Sequence, residues 1–274
     1  MEITPSVFVA IIGLTFACEY MNVSLGMGYG STLTPILLVA GFSPLQAVPA
    51  VLLGDLLGGI VGGLFHHRLG NISLDFRRDE ELVKRRLRGL GYIPASRDSK
   101  VVFILALCGS LGAVAAVFFA ISIPKLVLET YIGVMILVIG VIILVRRNRE
   151  FTFSWKGLVT IGLISAFNKG ASGGGYGPLV TGGQIISGRD VKSSIGSTTL
   201  AEALICIVAF LSYVVLKVDI HWKLASAISA GSVMASPLAA LTTKKLGIGN
   251  LKLIIGIIVT VLGFLTLGKV YLAG

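Results

Sequence analysis

Eight stretches of this chain are apolar over lengths that suit a bilayer crossing: 5–24, 44–65, 100–121, 126–145, 155–169, 191–215, 222–243 and 251–272. A spanning helix takes about 20 mostly apolar residues. Inside hydrocarbon every backbone N–H and C=O must be satisfied by the chain itself, so runs of this length read as helices. Composition agrees: 55% of residues are hydrophobic and only 13% charged, about half the roughly 25% of a soluble domain. A soluble fold of 274 residues would lack the polar surface to cover itself. High apolar content excludes a disordered chain, and three cysteines exclude a disulfide-stapled one. Cys18, Cys108 and Cys206 all lie in apolar runs without a CxxC pair and read as small buried hydrophobes. The first apolar run has no Lys or Arg before it; the expectation is a retained membrane segment and not a cleaved signal peptide.

Two further apolar runs, 31–42 and 178–187, are too short to span comfortably, and each follows a glycine cluster, GMGYG (26–30) and GGGYG (173–177). The clusters are in register. A shift of 147 places Gly26, Gly28, Tyr29, Gly30, Thr34 and Gly41 on Gly173, Gly175, Tyr176, Gly177, Thr181 and Gly188, Asn22 on Lys169, and Asp55 on Glu202. Later the offset becomes 123, with Gly133 and Gly140 on Gly256 and Gly263. The chain therefore reads as an all-α polytopic membrane protein of 8–10 transmembrane segments. It divides into a first repeat (1–145, with a charged insertion at 66–99), a linker (146–154, containing RRNRE) and a second repeat (155–274).

Charge gives the orientation. The net charge is +10, and 14 of the 36 charged residues lie between Arg68 and Lys100. In a chain this apolar, such clusters mark cytoplasmic loops and not nucleic-acid binding. This places 66–99 and 146–156 on the cytoplasmic side of the cell membrane. The stretch RRDEELVKRRLRGLGY is expected to form an amphipathic helix on that surface. If the short segments cross as broken helices, each half has five crossings and the halves are inverted, with 18 of 23 basic residues inside and 4 outside. If they are re-entrant, the halves are parallel, with 16 inside and 6 outside. The inverted arrangement, with broken helices meeting at a central site, fits better.

Several glycines in a row unwind a membrane helix, since each costs roughly 1 kcal/mol against Ala. Unwound backbone at membrane depth belongs inside protein or beside a cavity. Matched breaks in two halves point to a transporter site, and free N–H groups ahead of a helix N-terminus suit an anion. The plainer alternative is close helix packing through small residues. Lys169, directly before the second cluster, is a candidate cationic attractor, with snorkelling as its alternative. Asp55 and Glu202 lie mid-helix, beyond easy reach of the interface, and are candidates for carrying a coupling proton or for bonding helix to helix. Glu19 could pair with Lys169; Glu129 reads as interfacial. Tyr29, Tyr176, Thr32, Ser172, Thr181, Thr198 and Thr199 could donate hydroxyls to an oxyanion. His66 and His67 read as interfacial residues after a helix end, and His221 with Trp222 as an interface belt.

The segments GMGYGSTLTPILLVAGFSPLQAVPAVLLGD (26–55), GGLFHHRLGNI (62–72) and GGGYGPLVTGGQIISGRDVKSSIGSTTLAE (173–202) resemble the TauE/SafE family of sulfite and organosulfonate exporters. Met27 and Tyr29 stand where that pattern usually has glycine, and the insertion at 75–99 departs from it. The resemblance implies secondary transport of small sulfur-containing anions such as sulfite, thiosulfate or an organosulfonate. The substrate region carried over comprises Asn22, Gly26, Gly28, Tyr29, Gly30 and Thr32, and in the second copy Asn168, Lys169, Ser172, Gly173, Gly174, Gly175, Tyr176 and Gly177. The implied partners are the anion and membrane lipid, with a homo-oligomer open. No cofactor, metal or catalytic residue is implied. Two rivals stand beside a coupled transporter. One is a passive anion channel. The other is an intramembrane serine protease, because GASG at 170–173 is similar to the rhomboid nucleophile motif; His221, the downstream His, sits at a helix end and makes a poor base for Ser172.

Overall fold

The computed structural model describes residues 3–78, 92–145, 155–186, 189–245 and 249–272. Ten helices run through them: α1 (Pro5–Leu25), α2 (Tyr29–Val39), α3 (Pro44–Arg68), α4 (Arg97–Ser122), α5 (Lys125–Val145), α6 (Trp155–Ser172), α7 (Tyr176–Ile186), α8 (Val191–Val215), α9 (Trp222–Thr243) and α10 (Gly249–Leu272). Five of them, α1, α3, α4, α8 and α9, are both long and apolar enough to cross a bilayer. Large apolar side chains face outward along the bundle, among them Val9, Leu107, Leu111, Leu163, Leu238 and Phe264. Several charged and hydroxyl groups, among them Glu19, Asp55, Lys169, Glu202, Thr181 and Ser232, are buried instead, the distribution expected where lipid is the solvent.

The glycine clusters end helices as expected. Gly26 closes α1 in the left-handed region (φ 70°), and Gly28 (φ 112°) caps the start of α2. Gly173 (φ 74°) and Gly175 (φ 82°) do the same between α6 and α7. The half-helices α2 and α7 have 11 residues each, about 16 Å at 1.5 Å per residue, roughly half the hydrocarbon thickness. They begin inside the clusters, at Tyr29 and Tyr176, slightly ahead of the apolar runs. The bounds of α2 and of α3 both recur 147 residues later, in α7 and α8.

Helices α3 and α8 run antiparallel at the centre. The backbone of Gly59 faces Ala203, Gly62 faces Thr199, Gly63 faces Leu200, and Gly196 faces His66. Helix α9 packs along α1 and α3, while α4 packs along α6 and α8. Each of these two helices thus lies on the half of the chain to which it does not belong. Small residues permit this: Gly231 of α9 meets Ile12 and Thr15, and Gly112 and Gly109 of α4 meet Leu163, Ala166 and Ile205. Helices α5 and α10 pack on each other, with Gly133 against Leu267 and Gly263 against Leu137.

The charged insertion departs from expectation at its ends. In place of helix, Phe76–Arg78 (β1) and Tyr92–Pro94 (β2) pair antiparallel, with Arg77 opposite Ile93. Backbone pairing between two ends brought together by α3 and α4 replaces the helical ladder there. The remainder of the expected amphipathic helix, 79–91, and the linker 146–154 lie outside the described residues. Near this ribbon, buried Arg189 ion-pairs with Asp98 in the first turn of α4 and donates to Gln184 of α7. Asp98 also accepts from the Ser73 amide at 3.0 Å, tying the α3–β1 connection to the start of α8.

His66 is not interfacial. It belongs to the last turn of α3 and is fully buried, with Nε2 2.9 Å from the Val23 carbonyl and Nδ1 3.0 Å from Asn71 Nδ2. The helix continues to Arg68, so position 66 still points into the bundle, whereas His67 is exposed. His221 caps α9, accepting from the Leu224 amide at 3.3 Å, and its ring meets Phe42 edge-on. Trp222 beside it is exposed.

Candidate functional site

Four ionisable side chains from four helices meet in the interior. Lys169, near the end of α6, forms ion pairs with Asp55 of α3 and with Glu202 of α8, the latter at 2.8 Å. All three are buried: Lys169 is 0% exposed, Asp55 1% and Glu202 3%. Glu19 of α1, 0% exposed, joins through Asn22, whose Nδ2 donates to Asp55 Oδ1 at 3.2 Å and to Glu19 Oε2 at 3.5 Å. The ammonium therefore engages Asp55 and Glu202 and not Glu19, the partner the sequence suggested. Position explains the choice: Asp55 and Glu202 project from the antiparallel central pair, while the Glu19 carboxylate rests against the Gly58 backbone, one turn along α3 from Asp55. Counted as ionised, the cluster holds three carboxylates and one ammonium. A buried excess of negative charge is costly, so protons or a rearranged partner must offset it.

Around this cluster, the Cys206 thiol lies 3.8 Å from Asp55 Oδ2, and Ser236 of α9 donates to Glu19 Oε1 at 3.5 Å. The Lys169 Nζ sits 5.7 Å from the centre of the Tyr29 ring, in cation–π range. The Tyr29 hydroxyl is 2.8 Å from Ser232 Oγ. Its counterpart Tyr176 is equally buried, but among the described residues its hydroxyl has no hydrogen-bond partner, and neither has Glu202 Oε2. The difference is sequence-encoded. A shift of 123 puts Gly109 where Ser232 would be needed.

The two breaks stack on each other backbone to backbone. A Cβ on Gly30 would fall 1.5 Å from the Gly173 carbonyl oxygen, one on Gly174 2.6 Å from Gly30, and one on Gly177 2.6 Å from the Gly26 carbonyl oxygen. Thr181 donates to that same oxygen at 2.6 Å, and the Gly175 amide donates to Ser31 Oγ at 2.9 Å. The plainer reading of these glycines, close packing, thus describes much of what they do. Four of the amides expected to cradle an anion are already engaged: Gly26 bonds Asn22, Gly173 bonds Lys169, Gly174 bonds Ser172 and Gly175 bonds Ser31. Gly28 caps α2, and Thr32 is buried in its first turns. Asn168 accepts a short hydrogen bond of 2.5 Å from Tyr131.

Ser172 donates to the Asn168 carbonyl at 2.7 Å and lies 3.6 Å from Met135 sulfur. Among the described residues its hydroxyl contacts no histidine, and His221 serves as a helix cap elsewhere. Nothing in this arrangement activates a serine nucleophile. No group of His, Cys, Asp and Glu suited to a metal ion occurs among the described residues.

The family model for the sulfite exporter TauE/SafE matches residues 90–266, well over half of the chain. The chain belongs to the TauE/SafE family. It is similar to a probable membrane transporter protein, YtnM, from Bacillus subtilis (strain 168), at 26% identity over 249 residues, covering 86% of this chain and 74% of that protein. No solved structure gives a significant match. This TauE/SafE chain is therefore a multi-pass membrane transporter. The family match takes in Lys169, Glu202 and the second break, while Glu19, Asn22, Asp55 and the first break lie before it.

Sequence reasoning missed Cys206, Ser232 and Ser236 as neighbours of the charged groups. The spacing of Ser232 and Ser236 held a signal: they share one face of α9 with Gly231 and Ala235, all buried. It also missed the Arg189–Asp98 pair, whose members are ordinary helix-end charges until the fold joins them.

Proposed function

We propose that the chain is a proton-coupled secondary transporter of small sulfur-containing anions, namely sulfite, thiosulfate or an organosulfonate. The observation that carries this reading is the buried Asp55–Lys169–Glu202 ion cluster, held on the central antiparallel helices directly beside two stacked helix breaks. A lysine at this depth gives an anion a cationic partner, and three carboxylates around it give a proton somewhere to reside. The family's name supplies the sulfur oxyanion, and broken half-helices at matching positions supply the usual architecture of a secondary carrier.

We read the two halves as inverted repeats, an arrangement supported by the recurrence of α2 and α3 147 residues later and by the opposed directions of α3 and α8. The β-ribbon end is then cytoplasmic in the cell membrane, as its Lys and Arg content favours. Tyr29, Tyr176, Asn22 and the loop residues around both breaks complete the substrate region.

The test is transport by the purified protein in proteoliposomes. Sulfite, thiosulfate and small sulfonates are expected to compete for uptake, and an imposed pH gradient to drive it. Failure of every sulfur anion to move would overturn the substrate assignment. Flux that neither saturates nor follows the pH gradient would instead make the protein a passive channel.

A further inference from the structure

The state described has no cation to spare for an anion. Lys169 is the one ammonium of the described cluster, and both Asp55 and Glu202 hold it. An oxyanion approaching this lysine meets, besides those two carboxylates, the Tyr29 ring from α2 and the Cys206 thiol from α8, and within electrostatic reach lie Glu19 of α1, Tyr176 of α7 and Cys108 of α4. From α9 come the neutral hydroxyls of Ser232 and Ser236, and from α5 Tyr131 engages Asn168. None of these brings a second positive charge. An anion and an ionised carboxylate therefore compete for the same single positive charge.

Resting on the transport reading above, we propose that a small oxyanion binds Lys169 only as Asp55 or Glu202 takes up a proton and lets go, so that anion and proton occupy the site together and travel in the same direction. The exchange conserves the charge of the buried site for a monoanion and one proton. The proton goes to a carboxylate whose oxygen leaves Nζ, and the anion oxygen takes the place of that oxygen. Two buried atoms have no hydrogen-bond partner among the described residues where the exchange needs them, Glu202 Oε2 and the Tyr176 hydroxyl. The first can receive the proton, and the second can donate to the incoming oxyanion. Coupling of this kind needs no second ion site. It makes the protein a symporter, and the cell's gradients of the anion and of protons set the direction of flow.

Binding of thiosulfate and methanesulfonate, whose charges are constant between about pH 5 and 8, is to be measured on the purified full chain by calorimetry in buffers of differing ionisation enthalpy. Affinity is expected to rise up to tenfold per pH unit lowered, with about one proton taken up per monoanion. In Asp55→Asn/Glu202→Gln, affinity is expected to be high and flat with pH. Lys169→Arg, which keeps the charge, is expected to retain binding. Binding with constant affinity and no proton uptake in the wild-type protein would overturn the inference while leaving the transport reading intact. If neither probe nor sulfite binds at any pH, the transport reading falls and this inference with it. The wild-type pH profile decides the matter even if the variants do not fold.

Discussion

Replacing Gly30 by alanine sets two effects of opposite sign against each other. Gly30 lies in the first turn of α2, where alanine should help by at most about 1 kcal/mol through helix propensity. Its Cα, however, rests on the facing break: the new methyl would fall 1.5 Å from the Gly173 carbonyl oxygen and 2.7 Å from the Gly174 Cα. Ordinary contact begins at 3.4 Å, so the two breaks must part by about 2 Å. The obstacle is backbone on both sides and cannot turn aside. Overpacking of a core by movable side chains costs about 1–3 kcal/mol; this case belongs at or above the upper end, a net loss of at least about 2 kcal/mol. For a chain of this size that corresponds to a fall in Tm of roughly 4–8 °C. Gly13→Ala is the control, since a Cβ there meets nothing within 4 Å. The assay is thermal unfolding of detergent-purified protein, followed by the loss of monodisperse material. Gly30→Ala should melt well below wild type or fail to accumulate, while Gly13→Ala should match or exceed it. If Gly30→Ala is as stable as Gly13→Ala, the backbone stacking of the two breaks is wrong.

Lys169→Met strands two buried carboxylates and should lower Tm as a loss of about 3–5 kcal/mol would, whereas Lys169→Met/Asp55→Asn/Glu202→Gln should recover much of it, because removing a buried ion cluster whole costs less than breaking it. His66→Phe removes both ring-nitrogen contacts and leaves the Val23 carbonyl with the longer Thr243 hydroxyl contact of 3.4 Å, so a loss of about 1–3 kcal/mol is expected in the same melts. Arg189→Met leaves Asp98 without its ion pair inside the protein and should destabilise, with Arg189→Met/Asp98→Asn restoring part of the loss; equal melting of the two would remove the pair as a structural tie. Ser172→Ala gives up one or two ordinary hydrogen bonds, worth about 1 kcal/mol each, and transport by that variant should persist in proteoliposomes.

Periodicity and spacing made the helices legible because lipid forbids most alternatives. Gly26 and Gly173 announced the breaks, since left-handed backbone favours glycine, and depth within an apolar run marked Asp55 and Glu202. What spacing could not show was who meets whom. The engagement of Lys169 by those two carboxylates depends on α3 and α8 running in opposite directions. The satisfaction of the Gly175 amide by Ser31 depends on the second break leaning on the first. His66 was misplaced for a simpler reason: the helix ran one turn further than the apolar run, and burial followed its face and not its hydropathy.

The crossing of α4 and α9 onto the opposite halves has a consequence for biosynthesis. Helix α4 is made before α6 and α8, the helices against which Gly109 and Gly112 pack. Until they emerge, that narrow face has lipid or a chaperone for company. The first half of the chain, released alone, would carry one unmatched helix and lack the one that completes α1 and α3. The charged centre itself needs helices only up to α8, but its surround is completed late, when α9 returns alongside α1 and α3 and brings Ser236 to Glu19.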